Sequence, residues 1–154
     1  MPGLEAIVGA SPAFAGLSDA RLALVAGCGR TVRFARGERL FREGDPAETL
    51  YLLRTGRVAL STHLPASDAV VIETLEAGEV VGWSWLFAPY TWHFDAHAVE
   101  DVRAVALDGA SLRATCDADH ELGHLLMRRF AGLIIDRLQH TRLRLLDLYG
   151  DRGS

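Results

Sequence analysis

The sequence predicts a mainly β fold with flanking helices: an antiparallel barrel or roll followed by a long C-terminal helix. Two changes of texture predict it. Between Arg30 and Leu107, short apolar runs alternate with turns built from Gly, Pro and Asp, the pattern of many short strands set close together. After Asp108 the apolar period becomes helical and stays so to about Tyr149. A length of 154 residues suits one domain.

Residues 1–13 are small and mixed, and read as a loose N-terminal lead-in to a single domain over 14–150. Leu17-Ser18-Asp19 starts a helix, with Ser18 as N-cap and Leu22 and Val25 on one face. Gly27 and Gly29 end it. Strands are expected at Thr31–Phe34, Arg39–Phe41, Thr49–Arg54, Arg57–Thr62, Val70–Leu75, Ala96–Val99 and Val102–Leu107, forming a barrel over about 30–107. Gly44-Asp45-Pro46, Thr55-Gly56, Pro65–Asp68 and Ala77-Gly78 supply turns. Helices fill about 109–149: a short one capped by Asp108 or Ser111, then a long one from about Asp119 to Tyr149, with Gly123 or Gly132 as places for a bend.

Composition narrows the function. Hydrophobic residues make up 49% and charged residues 23%, as in an ordinary soluble domain. No stretch reads as a membrane span or a secretory signal, so the expected location is the cytoplasm, away from membranes. Cys28 and Cys116 are too few for a disulfide framework or a cysteine-only metal site. All sixteen basic residues are arginine, yet the net charge is −4. A nucleic-acid binder usually carries a basic face, so direct nucleic-acid binding is not expected.

The long helix carries two apolar stripes. Leu126, Phe130, Leu133 and Arg137 lie on one face. Met127, Ala131, Ile134, Leu138, Thr141, Leu145 and Leu148 follow alternating steps of four and three, a coiled-coil seam. A helix apolar on two faces needs two partners. One is its own barrel, and the expected other is a second copy of the chain, giving a homodimer.

Two strings invite a metal. His120-Glu121-Leu122-Gly123-His124 matches the HExxH zinc pattern, but Met127 and Phe130 occupy the positions where the extended form carries Gly and His. The preferred reading is a polar helix start, with Asp117, Asp119 and Glu121 at the positive end of the dipole; the remote alternative is a zinc hydrolase. His93, Asp95 and His97 share one side of an extended chain, read as a solvated strand face in preference to a metal cluster. No catalytic residue and no metal ligand is therefore assigned, and no enzyme is expected.

The aromatics are concentrated. Trp83, Trp85, Phe87, Tyr90, Trp92 and Phe94 are half of the chain's twelve, within residues 83–94. Such a cluster is either core or the wall of a pocket.

Residues 37–60, GERLFREGDPAETLYLLRTGRVAL, closely resemble the opening strands of the cyclic-nucleotide-binding domain family, with Gly44, Asp45, the Leu50–Leu53 strand and Gly56 in place. Residues 76–107 resemble that family's phosphate-binding segment and closing strands, and the terminal helix resembles the dimer helix of its catabolite-activator branch. The resemblance spans about residues 14–149 and implies an antiparallel, jelly-roll-like β-roll flanked by helices, with ligand between roll and long helix. It also implies the site: Gly82 is the cassette glycine, Trp83 replaces the ribose-binding glutamate, Ser84 follows, Trp92 replaces the phosphate-binding arginine, and His93 replaces the neighbouring hydroxyl residue. On the long helix the base-contacting positions fall on Thr141 and Arg142.

A charged hydrogen bond contributes roughly 1.5–3 kcal/mol. Losing both the arginine and the glutamate should weaken a cyclic nucleotide at least about a hundredfold. The chain stops where the branch's helix-turn-helix would begin, again arguing against direct DNA contact. The expectation is a ligand sensor signalling through its long helix to a dimer or a protein partner, with a cyclic nucleotide or other small ligand and no certain cofactor. The alternative is a structural or adaptor module whose pocket is plugged by Trp83, Trp85 and Trp92.

Overall fold

Gly44, Gly56 and Gly78 adopt φ of 89°, 87° and 91° at three of the expected turns. Gly56 is the most constrained: an added Cβ would collide with the Asp101 carbonyl oxygen, so a side chain there is excluded by contact as well as by φ. The computed structural model describes residues 3–63, 69–82, 84–85 and 88–152, except the side chains of 63, 69, 144–145 and 148–152. Trp83, Leu86, Phe87 and the expected Pro65–Asp68 turn lie outside the described residues.

Among the described residues eight strands form two antiparallel sheets. They are β1 (Gly29–Phe34), β2 (Arg39–Phe41), β3 (Thr49–Thr55), β4 (Val58–His63), β5 (Ala69–Leu75), β6 (Val80–Val81), β7 (Asp95–Ala98) and β8 (Val102–Asp108). One sheet runs β1-β8-β3-β6 and the other β2-β7-β4-β5. This is the expected roll, with one strand added. β6 pairs through Tyr51↔Val81 and Leu52↔Val80, and two residues are too few to show a period in sequence.

Two cores result. Strands of both sheets fill the roll interior with Phe41, Leu53, Val58, Leu60, Leu75 and Ala104, joined by Trp92 from the loop before β7. The first sheet packs its other face on the helices through Leu50, Leu52, Val105, Leu107, Leu112, Leu122, Leu126 and Phe130.

The stretch expected as a loose lead-in is instead folded into this second core. Residues Leu4–Gly9 form α1, and Pro12–Phe14 form a 3₁₀ turn. Val8 and Phe14 are fully buried, and Phe14 meets Phe130 edge-on at 6.2 Å. Leu4, Ile7 and Val8 have helical spacing, but six residues are too short for the pattern to stand out.

Helix α2 (Asp19–Ala26) is capped as expected by Ser18, which accepts from the Arg21 amide at 3.3 Å. Asp108 caps α3 (Gly109–Ala118), accepting from the Ser111 amide at 2.9 Å and its hydroxyl at 2.6 Å. The long helix α4 (His120–Arg152) follows as one element. Gly123 serves close packing: a Cβ there would sit 3.0 Å from the Cys116 carbonyl oxygen.

The two stripes of α4 have different fates. Leu126 and Phe130 are buried, and Leu133 packs against the same core. Met127 and Leu138 are 43% and 60% exposed, and Ala131 and Thr141 are exposed beside a half-buried Ile134. Ile135, Leu143 and Leu146 widen this bare face. The side chains of Leu145 and Leu148 lie outside the described residues. No described helix is long and apolar enough to cross a membrane.

Candidate functional site

Gly82, the expected start of the cassette, is buried with φ of 92°. Its missing side chain is occupied space: a Cβ would lie 2.5 Å from the ring of Trp92. Trp92 is 4% exposed and stacks on Phe41 with centroids 3.7 Å apart and planes 10° apart. Phe41 continues the stack to Tyr51 at 6.5 Å and touches Phe94 at 6.2 Å. The turn at 44–47 fixes the Trp92 backbone: Gly44 donates to its carbonyl at 2.8 Å, and its amide donates to Asp45 at 3.0 Å. The position implied to hold phosphate therefore holds an indole that belongs to the roll core.

The tryptophans are divided between the cores. Trp85 is fully buried on the helix side, edge-on to Phe130 at 5.7 Å. Arg113 of α3 holds this segment at both ends, donating to the Trp85 carbonyl and lying 4.3 Å over the Tyr90 ring. Ser84 is buried. The expectation that Trp85 and Trp92 plug one pocket together is corrected: they fill opposite sides of the first sheet.

A cavity of about 330 Å³ remains where α4 meets the roll. Glu73, Glu79 and Val80 form its sheet side, and Leu133, Asp136, Arg137 and His140 its helix side. Arg137 spans it, donating to the Val80 carbonyl at 2.5 Å and standing 3.8 Å from the Glu73 carboxylate. Burial pulls the Arg137 guanidinium below its ordinary value, against the raising effect of Glu73 and Glu79.

The other expected site residues lie outside this arrangement. His93 is exposed. Thr141 and Arg142 are exposed on α4, and the Thr141 hydroxyl donates to the Arg137 carbonyl within its own helix at 3.0 Å. Asp95 is buried rather than on a solvated face, and accepts from the Glu43 amide at 2.7 Å. The HExxH string opens α4: Asp119 accepts from the Leu122 amide at 3.1 Å, and Arg21 bridges Asp119 and Glu121 at 3.0 Å each. That is the polar helix start expected from the charges.

Sequence reading missed Phe41, Glu73 and Glu79 as neighbours of the site. One signal was available: Arg137 is a charge in an apolar stripe, and such a charge needs a partner. Nothing local marked Phe41, whose role comes from pairing β2 with β7.

The family model described as "Cyclic nucleotide-binding domain" matches residues 31–119. The cyclic AMP receptor protein of Thermus thermophilus is 31% identical over 141 residues, covering 87% of this chain and 65% of that protein. A CRP-like cAMP-activated global transcriptional regulator of Mycobacterium tuberculosis is 26% identical over 145 residues, covering 94% and 63%. The chain thus spans less than two thirds of these curated relatives. A solved protein of Geobacter metallireducens GS-15, named for cyclic nucleotide binding, superposes with a TM-score of 0.79 at 30% identity, covering 90% of this chain and 99% of that one. With the two-sheet roll in place, the chain belongs to the cyclic nucleotide-binding domain family.

Proposed function

We propose that the chain is a non-enzymatic ligand-sensing regulatory domain that acts as a homodimer or on a protein partner, and that its ligand is not held as the family holds a cyclic nucleotide. One observation carries this reading: the cavity at the roll–helix junction is walled by both parts, so an occupant touches the sensor sheet and the signalling helix together. Trp92 over Gly82 supports the second half, because an indole cannot make the bidentate contact to phosphate that an arginine makes. Gly82, Ser84 and Trp92 then act from beneath the cavity, as buried packing next to β6, and Thr141 and Arg142 belong to the signalling face of α4. The bare stripe through Met127 and Leu138 supports the dimer. The two curated relatives are named for cyclic AMP, one of them for transcriptional regulation, which supports a regulatory role.

Calorimetric titration with cyclic AMP, cyclic GMP and cyclic dinucleotides tests the ligand half. Binding at least about a hundredfold weaker than in relatives with an intact cassette is expected. Tight cyclic AMP binding by the unaltered chain overturns it. Native mass spectrometry of the protein as purified reads dimer mass and any retained small molecule together. The Phe41–Trp92 stack favours a second reading, a constitutive adaptor with a filled roll; it is preferred if the cavity accepts nothing and the dimer persists.

A further inference from the structure

On the helix-bearing face of the first sheet, beyond the packed core, three arginines sit on three adjacent strands. Arg33 of β1 is paired directly opposite Arg103 of β8. Arg54 of β3 is an extra residue: the ladder passes from Leu53↔Ala104 to Thr55↔Arg103 and skips it. Period-two alternation puts Arg103 on the side of Val105, which packs against the helices. All three line one cavity of about 580 Å³, walled on the other side by Leu4 and Ile7 of α1.

This arrangement is costly for the protein alone. Like charges directly opposed across a ladder are destabilising. None of the three arginines has an ion pair with a carboxylate among the described residues. Two acids, Glu38 and Asp101, share a neighbouring cavity with Arg33 and Arg103 but accept from the backbone amides of Ala35 and Arg36. A bulge re-aims a side chain, and it places the third cation with the pair.

The cavity also has an apolar continuation. A second one of about 350 Å³ shares Ile7 and Arg54 and is lined by Ala6, Ala10 and Leu52. Ser11 lines it too, and its buried hydroxyl has no hydrogen-bond partner. A cationic mouth with an apolar interior matches neither a bare phosphate nor a nucleic acid, which would call for exposed aromatic surface to stack on.

We propose that this face binds a single-chain anionic amphiphile, with its carboxylate or phosphate head among Arg33, Arg54 and Arg103 and its apolar body along Leu4 and Ile7. The arginine-lined cavity shares no lining residue with the roll–helix cavity, so the reading of that cavity stands or falls without it.

The test is calorimetric titration of the full chain with dodecanoate and dodecyl phosphate, each below its micelle-forming concentration. Binding of either is expected, with loss of about tenfold for each of R54Q and R103Q and little heat from dodecyltrimethylammonium. Unliganded R103T is expected to melt no lower than the parent, because it removes an opposed like charge. Four outcomes overturn the proposal: inorganic phosphate binding as tightly as dodecyl phosphate, amphiphile binding unchanged in both glutamine variants, unliganded R103T melting below the parent, or capture only on phosphatidylglycerol vesicles with neither monomeric amphiphile bound. The last assigns the face to a membrane surface.

Discussion

Trp92 lies flat on Phe41, 3.7 Å between ring centroids, while the far edge of its indole closes over the backbone of Gly82. Trp92 is thereby the largest side chain of the roll core.

Replacing Trp92 with alanine should destabilise the fold by about 3–5 kcal/mol, the usual result of emptying a large buried aromatic site. Urea denaturation measures it. A loss under about 1 kcal/mol would mean that the stack is not maintained in solution.

Gly82→Ala should cost at least about 2 kcal/mol. Two causes combine: a φ of 92° is strained for alanine, and its Cβ would meet the Trp92 ring at 2.5 Å. If contact is the larger cause, the double variant with Trp92→Phe should recover part of the loss. A double variant as unstable as the sum of the two singles removes the contact explanation.

Arg137 joins α4 to β5 and β6, so Arg137→Ala should loosen that end of the helix. A stability loss of about 1–3 kcal/mol is expected from the unpartnered Val80 carbonyl and Glu73. Hydrogen exchange over residues 133–143 should speed up while α3 keeps its protection. Uniform change in both helices would argue against a local junction.

Leu138→Glu places a charge in the middle of the exposed stripe, where the side chain is 60% exposed in the single chain. Sedimentation should show the mass of the parent halved, with circular dichroism unchanged. A parent that already sediments as a monomer removes the dimer from the proposed function.

Acid should weaken the α2–α4 junction. The Arg21 guanidinium beside Asp119 holds that carboxyl below the usual carboxylate range, and bonds from Ser111 do the same for Asp108. A depressed native value contributes stability that is present above about pH 4 and is lost as pH falls through the folded values. The slope of melting temperature against pH below about 4 should therefore flatten in Asp119→Asn. An unchanged slope would show that other carboxylates govern acid unfolding.

The fold was legible because its signals are local and repeated. Turn glycines at 44, 56 and 78, alternating apolar runs and the caps at Ser18 and Asp108 each act within a few residues. The stripe through Leu126 and Phe130 showed which side of α4 is covered, since a helix shows its buried face as a period. Elements of two to six residues, β6 and α1, carried too little pattern to be seen.

What the sequence determined by itself was the β-roll with its long helix. The tertiary structure alone decided where the aromatics go. Trp85 and Trp92 are seven positions apart, yet one joins the helices and the other the roll, because the first sheet passes between two cores. It also decided that Arg33 stands opposite Arg103, seventy residues away in sequence. Strand pairing sets such neighbours through backbone hydrogen bonds between distant segments, and no local pattern records which strands will meet.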